Sequence, residues 1–167
     1  MDKHERIDAA FRCFCDYMDG EGLKYKAETK EGEDKRLLLG FMGDDRPLDA
    51  VFVFETEAER IYIGSLLPLK SRKETEDELL LAVLHANQLV AIGSFVLDTE
   101  NGHISFESNE TIAGVGAFER EYAERVIVSV FTVVKQFCGQ FAAVIDGTLS
   151  ASDITAESAE ADGEEAQ

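Results

Sequence analysis

His103, Ser105 and Glu107 alternate along one stretch of the chain. In a strand they share a face, and a base, a hydroxyl and a carboxylate are the ingredients of acid–base or nucleophilic chemistry. A triad needs hydrogen-bond contact between its members, whereas i and i+2 residues stand about 6.6–7 Å apart along a strand. The spacing reads better as a solvated strand face. A small hydrolase or transferase using His103 and Glu107 is the alternative, and it requires one concave pocket that holds both side chains.

Other reactive residues are scattered. Cys13 and Cys15 are two apart in a helical pattern, about 200° apart around the axis, so they face neither a common metal nor each other. With Cys138 they make three thiols in no framework spacing, as expected of free cysteines in a reducing compartment. No metal-ligand pattern such as CxxC, HExxH or DxDxDG occurs. Asp44-Asp45 and the pair Asp98/Glu100 read as turn chemistry. Gly114-Val115-Gly116 precedes a helix but lacks a Walker lysine, and Glu119 and Glu121 oppose an anion there. His4 lies at a fraying terminus, and His85 near a helix end, where it complements the dipole. The reading is a protein that is not an enzyme, with no cofactor and no metal.

Sixteen basic residues stand against 34 acidic ones, a formal charge of −18 over 167 residues. Such a field repels nucleic-acid backbones and anionic membranes. No apolar run reaches the roughly 20 residues of a bilayer span, and MDKHERIDAAF has no signal-peptide core. A cytoplasmic location is expected.

Hydrophobic periodicity sets the elements that carry these groups. Ile7, Ala10, Phe11, Phe14, Tyr17 and Met18 recur at helical spacing over residues 3–18. Period two then predicts strands at Leu23–Ala27, Arg36–Met42, Leu48–Glu55 and Arg60–Leu67, with Pro68 stopping the last. A second helix begins at Ser71 or Thr75 and ends near Asn87 or Val90. Strands at Ala91–Leu97 and His103–Ser108 flank an Asn101-Gly102 hairpin signal. A long helix is predicted over Ala117–Val144, roughly 42 Å if unbroken. The expected fold is α+β, one antiparallel sheet of about six strands in the order α-β-β-β-β-α-β-β-α, with helices mainly on one face. The predicted domain is 1–147. Residues 148–167 contain no Lys, Arg or aromatic residue and six acidic ones, which leaves −12 for the body. Disorder is expected from about residue 150, with Ile154 as its one larger apolar anchor.

The middle strands are apolar on both sides, at Leu37/Leu38/Leu39 and at Val51/Phe52/Val53/Phe54. One face packs on helices. The other needs a cover: a second subunit giving a homodimer, a client segment, or helix one or the long helix of the same chain. The partner-binding surface is assigned to Phe11, Phe14, Phe52, Phe54, Ile61 and Ile63. The expected function is protein binding, chaperone-like or regulatory, through apolar sheet and helix surfaces.

The stretch Leu84-His85-Ala86-Asn87, then Gly93-x-Phe95-x-Leu97-Asp98, then Asn101-Gly102-x-Ile104 and a long final helix resembles the YbjN-type bacterial sensory-transduction regulators. The likeness spans roughly residues 3–146 and is most specific within 84–137. It implies a fold like that of the type III secretion chaperones, which are small, acidic and usually dimeric. It implies no defined cofactor and carries over no functional residue. The chain departs from the family in having Gln88-Leu89-Val90-Ala91 in place of an Arg/aromatic cluster, and in its acidic tail.

Overall fold

The computed structural model describes residues 1–30 and 33–156. Helix α1 (Lys3–Gly20) opens on a capping box: the Asp2 carboxylate accepts from the Glu5 N–H, and the Glu5 carboxylate accepts from the Asp2 N–H. Four strands follow, β1 (Tyr25–Glu28), β2 (Lys35–Met42), β3 (Pro47–Glu55) and β4 (Arg60–Lys70). Helix α2 (Glu76–Leu89), strands β5 (Ser94–Asp98) and β6 (His103–Thr111), and helix α3 (Arg120–Ile145) complete the expected order. All neighbouring strands are antiparallel, in the spatial order β1-β2-β3-β4-β6-β5. The β5–β6 hairpin turns at Asn101-Gly102, with Gly102 at φ +73°, as the sequence predicts. The hairpin inserts β6 beside β4 and leaves β5 at the edge.

Pro68 does not stop β4, which continues to Lys70. The pairing of β4 with β6 slips between Leu66 and Lys70. A proline has no N–H to give a ladder, and an irregularity is where a strand tolerates one.

One sheet face carries the core. Phe11 meets Phe54 edge-on at 5.2 Å, and Phe14 lies against both Phe52 and Phe54. At the other end Phe95 packs on Phe106, Phe137 and Phe141. Phe41 stacks on Phe131 of α3 at 4.0 Å. Helix α3 is long and apolar enough, by length and composition, to cross a membrane. Here ten of its residues are buried, from Ala123 to Ile145.

The expectation of disorder from residue 150 is corrected for residues 150–156. A short 3-10 turn, Ala151–Asp153, places Ala151 and Ile154 in the core. The Ala151 N–H donates to the Glu78 carboxylate at 2.6 Å, and the Ala151 carbonyl accepts from His85 Nδ1 at 2.7 Å. The Gln140 amide binds the Thr155 main chain twice, at 2.8 and 2.9 Å. Composition predicts disorder because it averages over the acidic residues. Two apolar anchors, Ala151 and Ile154, and these hydrogen bonds, with a further one from the Gln136 amide to the Thr155 carbonyl at 3.2 Å, hold this segment. The remainder of the acidic tail, 157–167, lies outside the described residues. Ile154→Ala is expected to cost about 2 kcal/mol, read as a lower urea midpoint with an unchanged slope.

Candidate partner-binding surface

The six residues assigned to partner binding are corrected by their burial. Phe14, Phe52, Phe54, Ile61 and Ile63 are fully buried and Phe11 is 9% exposed. Phe11, Phe14, Phe52 and Phe54 form the seam between α1 and β3, and Ile61 and Ile63 lie in the same core on β4, which packs against α3. The largest side chains remove the most apolar area from water when they face the helices, so the phenylalanines of β3 point inward.

The opposite parity therefore points outward. Leu38 stands opposite Val51, Val51 opposite Gly64, and Gly64 opposite Glu107. A second row runs from Arg36 through Val53 and Tyr62 to Asn109. On this face Leu38 is 38% and Leu66 61% exposed. The helices contribute their aromatic contacts to the other side. The uncovered apolar face expected from the sequence thus exists, on the residues of opposite parity to those assigned.

A depression of about 450 Å³ opens at its centre, lined by Leu38, Leu39, Gly40, Asp49, Ala50, Val51, Gly64 and Leu66. Three features of the chain make it. The β3–β4 ladder ends at Val51 and Gly64, so Pro47–Ala50 pair with β2 alone. Past that point the Ser65 hydroxyl donates to the Asp49 carbonyl at 2.6 Å, joining the two strands by a side chain. Gly40 and Gly64 put no side chain on the outer face, and a Cβ at Gly64 would approach the Tyr62 hydroxyl to 3.0 Å. Glycine inside a strand marks a hollow or a close approach. That signal was present in the sequence at both positions.

Asp49 lines the hollow and Glu107 flanks Gly64, and neither makes an ion pair among the described residues. Burial pushes the Tyr62 phenol above its ordinary value, and the nearby Glu107 and Glu55 carboxylates push it further. The hollow is apolar at its floor, with Asp49 in its lining and Glu107 beyond Gly64, while Lys26, across from Leu38, and Arg36 stand on the β1–β2 side.

The chain matches no protein-family model, and no curated protein matches it.

The reactive residues singled out in the sequence do not converge. His103 and Glu107 lie exposed on the open face at either side of half-buried Ser105. His103 borders a cavity at the β4 terminus whose lining does not include Glu107. Cys13 and Cys15 are half-buried, and burial raises both thiols above their ordinary value. Cys13 Sγ donates to the Glu119 carbonyl. Cys138 is buried in the core, which pushes its thiol up to about 11. Asp45 is paired with Arg46. The Asp98 carboxylate accepts the N–H groups of Glu100 and Asn101 in the hairpin turn, as turn chemistry predicts. Arg6 Nε donates to the Val115 carbonyl, which ties the glycine-containing loop to α1. Among the described residues no group of His, Cys, Asp and Glu has the arrangement to hold a metal.

Helix α2 has a second uncovered apolar patch, with Leu80, Leu81 and Leu84 each about half exposed. Charge does not single out an occupant for it.

Proposed function

We propose that this chain is a protein-binding module whose open sheet face takes an extended segment of a partner, one carrying apolar side chains flanked by Lys or Arg. The observation that carries this reading is the hollow between Leu38, Val51, Gly64 and Leu66, with the unpaired carboxylates of Asp49 and Glu107 at its edge. An apolar side chain on that floor removes exposed leucine and valine from water. A cation beside it meets two carboxylates in the field of a chain of net charge −18. The resemblance to the YbjN-type proteins, with their chaperone-like fold, supports client binding in preference to turnover. So does the separation of His103 from Glu107. The three free thiols support a cytoplasmic setting, where disulfides are rare.

A synthetic peptide of alternating Leu and Lys is the direct probe, followed by amide chemical shifts. Saturable shifts are expected at Leu38, Gly40, Val51, Gly64 and Leu66. The matched Leu/Glu peptide should produce none. Leu66→Glu, on an exposed side chain, should keep the melting temperature and weaken the Leu/Lys peptide by about tenfold or more, the equivalent of roughly 1.4 kcal/mol. Equal binding of both peptides, or full affinity in Leu66→Glu, would refute the proposal. A second copy of the chain is the competing occupant, and like charge works against it. Sedimentation showing a dimer whose shifts map to this same hollow would replace the peptide reading.

A further inference from the structure

The chain's one strongly basic run, Lys70-Ser71-Arg72-Lys73, sits at the far end of the sheet. There a cavity of about 420 Å³ is lined by Lys70, Ser71, Lys73, Glu76, the turn Thr99–Gly102, and His103. None of these residues lines the central hollow. The fold builds the cavity from three elements. β4 ends at Lys70, the β5–β6 hairpin supplies residues 99–103, and Glu76 opens α2. The Ser71 N–H donates to the Gly102 carbonyl at 2.8 Å and holds β4 to the hairpin. A Cβ at Gly102 would stand 2.5 Å from the Ser71 hydroxyl oxygen, so glycine permits the approach.

The arrangement of charge is unusual for this chain. Lys70 and His103 are direct cross-strand partners. Such a pair places Cβ atoms about 4.5–5.5 Å apart, so an ammonium and an imidazole stand side by side at the end of the sheet. Lys73 adds a third basic group from the next turn. Arg72 is paired with Asp146, but neither Lys70 nor Lys73 makes an ion pair among the described residues, in a chain with 34 acidic side chains. Asp98, the other neighbour of His103, is already engaged by Asn101 and its own turn. An anion between the lysines and His103 would accept from both ammonium groups, from an imidazole N–H and from the Ser71 hydroxyl. Glu76 and Glu100 stand on the remaining walls, where they repel further anionic groups and accept hydrogen bonds from hydroxyls.

We propose that this cavity binds a small phosphorylated molecule bearing hydroxyl groups, with its phosphate held by Lys70, Lys73 and His103 and its hydroxyls donating to Glu76 and Glu100. The two carboxylates and the charge of the whole molecule select against polyanions, so the ligand class is a small sugar phosphate and not a nucleic acid or an anionic membrane.

Titration with inorganic phosphate, ribose 5-phosphate and ribose at constant ionic strength, followed by side-chain NMR, tests the assignment. Inorganic phosphate should move the Lys70, Lys73 and His103 signals saturably. Ribose 5-phosphate should bind more tightly and also move Glu76 and Glu100, while ribose alone moves nothing. The double variant Lys70→Met, Lys73→Met should lose about tenfold or more in affinity, with its amide spectrum otherwise preserved, because both side chains are exposed. Lys73→Gln alone, on the turn ahead of α2, should weaken binding in the same direction. Unsaturable shifts, equal shifts with chloride, or retained affinity in the double variant would overturn the assignment.

Discussion

Phe14→Ala is expected to lower the unfolding free energy by about 3–5 kcal/mol, the cost of truncating a buried phenylalanine. The side chain is fully buried. It holds edge-on contacts with Phe52, Phe54 and Tyr122, at centroid distances of 5.7, 5.3 and 6.1 Å. Removing it leaves a cavity lined by three rings on two different elements, β3 and α3, which cannot collapse together. Urea denaturation checks the magnitude. The same variant separates two meanings of the apolar residues. If Phe14 contacted a partner, its loss would reduce peptide binding and leave stability unchanged. The structure predicts the reverse: a large fall in stability, and peptide affinity within about twofold while the protein remains folded.

Phe14 also shows what the sequence holds and what it hides. The helical spacing from Ile7 to Met18 and the alternation in β2, β3 and β4 are local signals, and each element forms there, although β4 runs past its predicted stop to Lys70. Local signals do not say which face of a strand is covered when both are apolar. Val51, Phe52, Val53 and Phe54 are consecutive apolar residues. Their assignment to inside or outside depends on which side chains best fill the space beneath α1 and α3, a matter of volume across elements. The outcome places the rings inside and the valines outside.

The position of β6 was hidden for a related reason. The Asn101-Gly102 turn specifies the hairpin, but the pairing of β6 with β4 depends on contacts between residues such as Ile63 and Ser108, some 45 positions apart. The site residues follow the same division. His103, Ser105 and Glu107 were legible as sharing one face, because period two is local. Gly40 and Gly64 carry a local signal of a hollow, but its place was not legible, because it arises where β3 and β4 stop pairing. The cavity beside Lys70 needs the end of β4, a turn and a helix start to meet.

Asn87→Leu is the second substitution with a large expected effect, about 2–4 kcal/mol, because it strands two buried main-chain groups at once. Asn87 lies in the last turn of α2, and its side chain faces the outer edge of β5. Its amide nitrogen donates to the Phe95 carbonyl at 2.9 Å, and its amide oxygen accepts from the Phe95 N–H at 2.7 Å. A primary amide presents the same donor and acceptor as a neighbouring strand, so Asn87 pairs the edge at the one residue of β5 whose ring enters the core. Leucine matches asparagine in size but can satisfy neither group. Aspartate could still accept from the N–H but would set its second oxygen against the carbonyl, so Asn87→Asp should lose most of the same stability. The loss has a second consequence. An unpaired strand edge is a template for another chain, and β5 carries exposed Val96 on its outer face. Asn87→Leu should therefore aggregate at concentrations where the parent stays monodisperse, and hydrogen exchange at Phe95 should rise before exchange in β3 and β4. Unchanged exchange at Phe95 would mean that the edge is protected by something other than this amide.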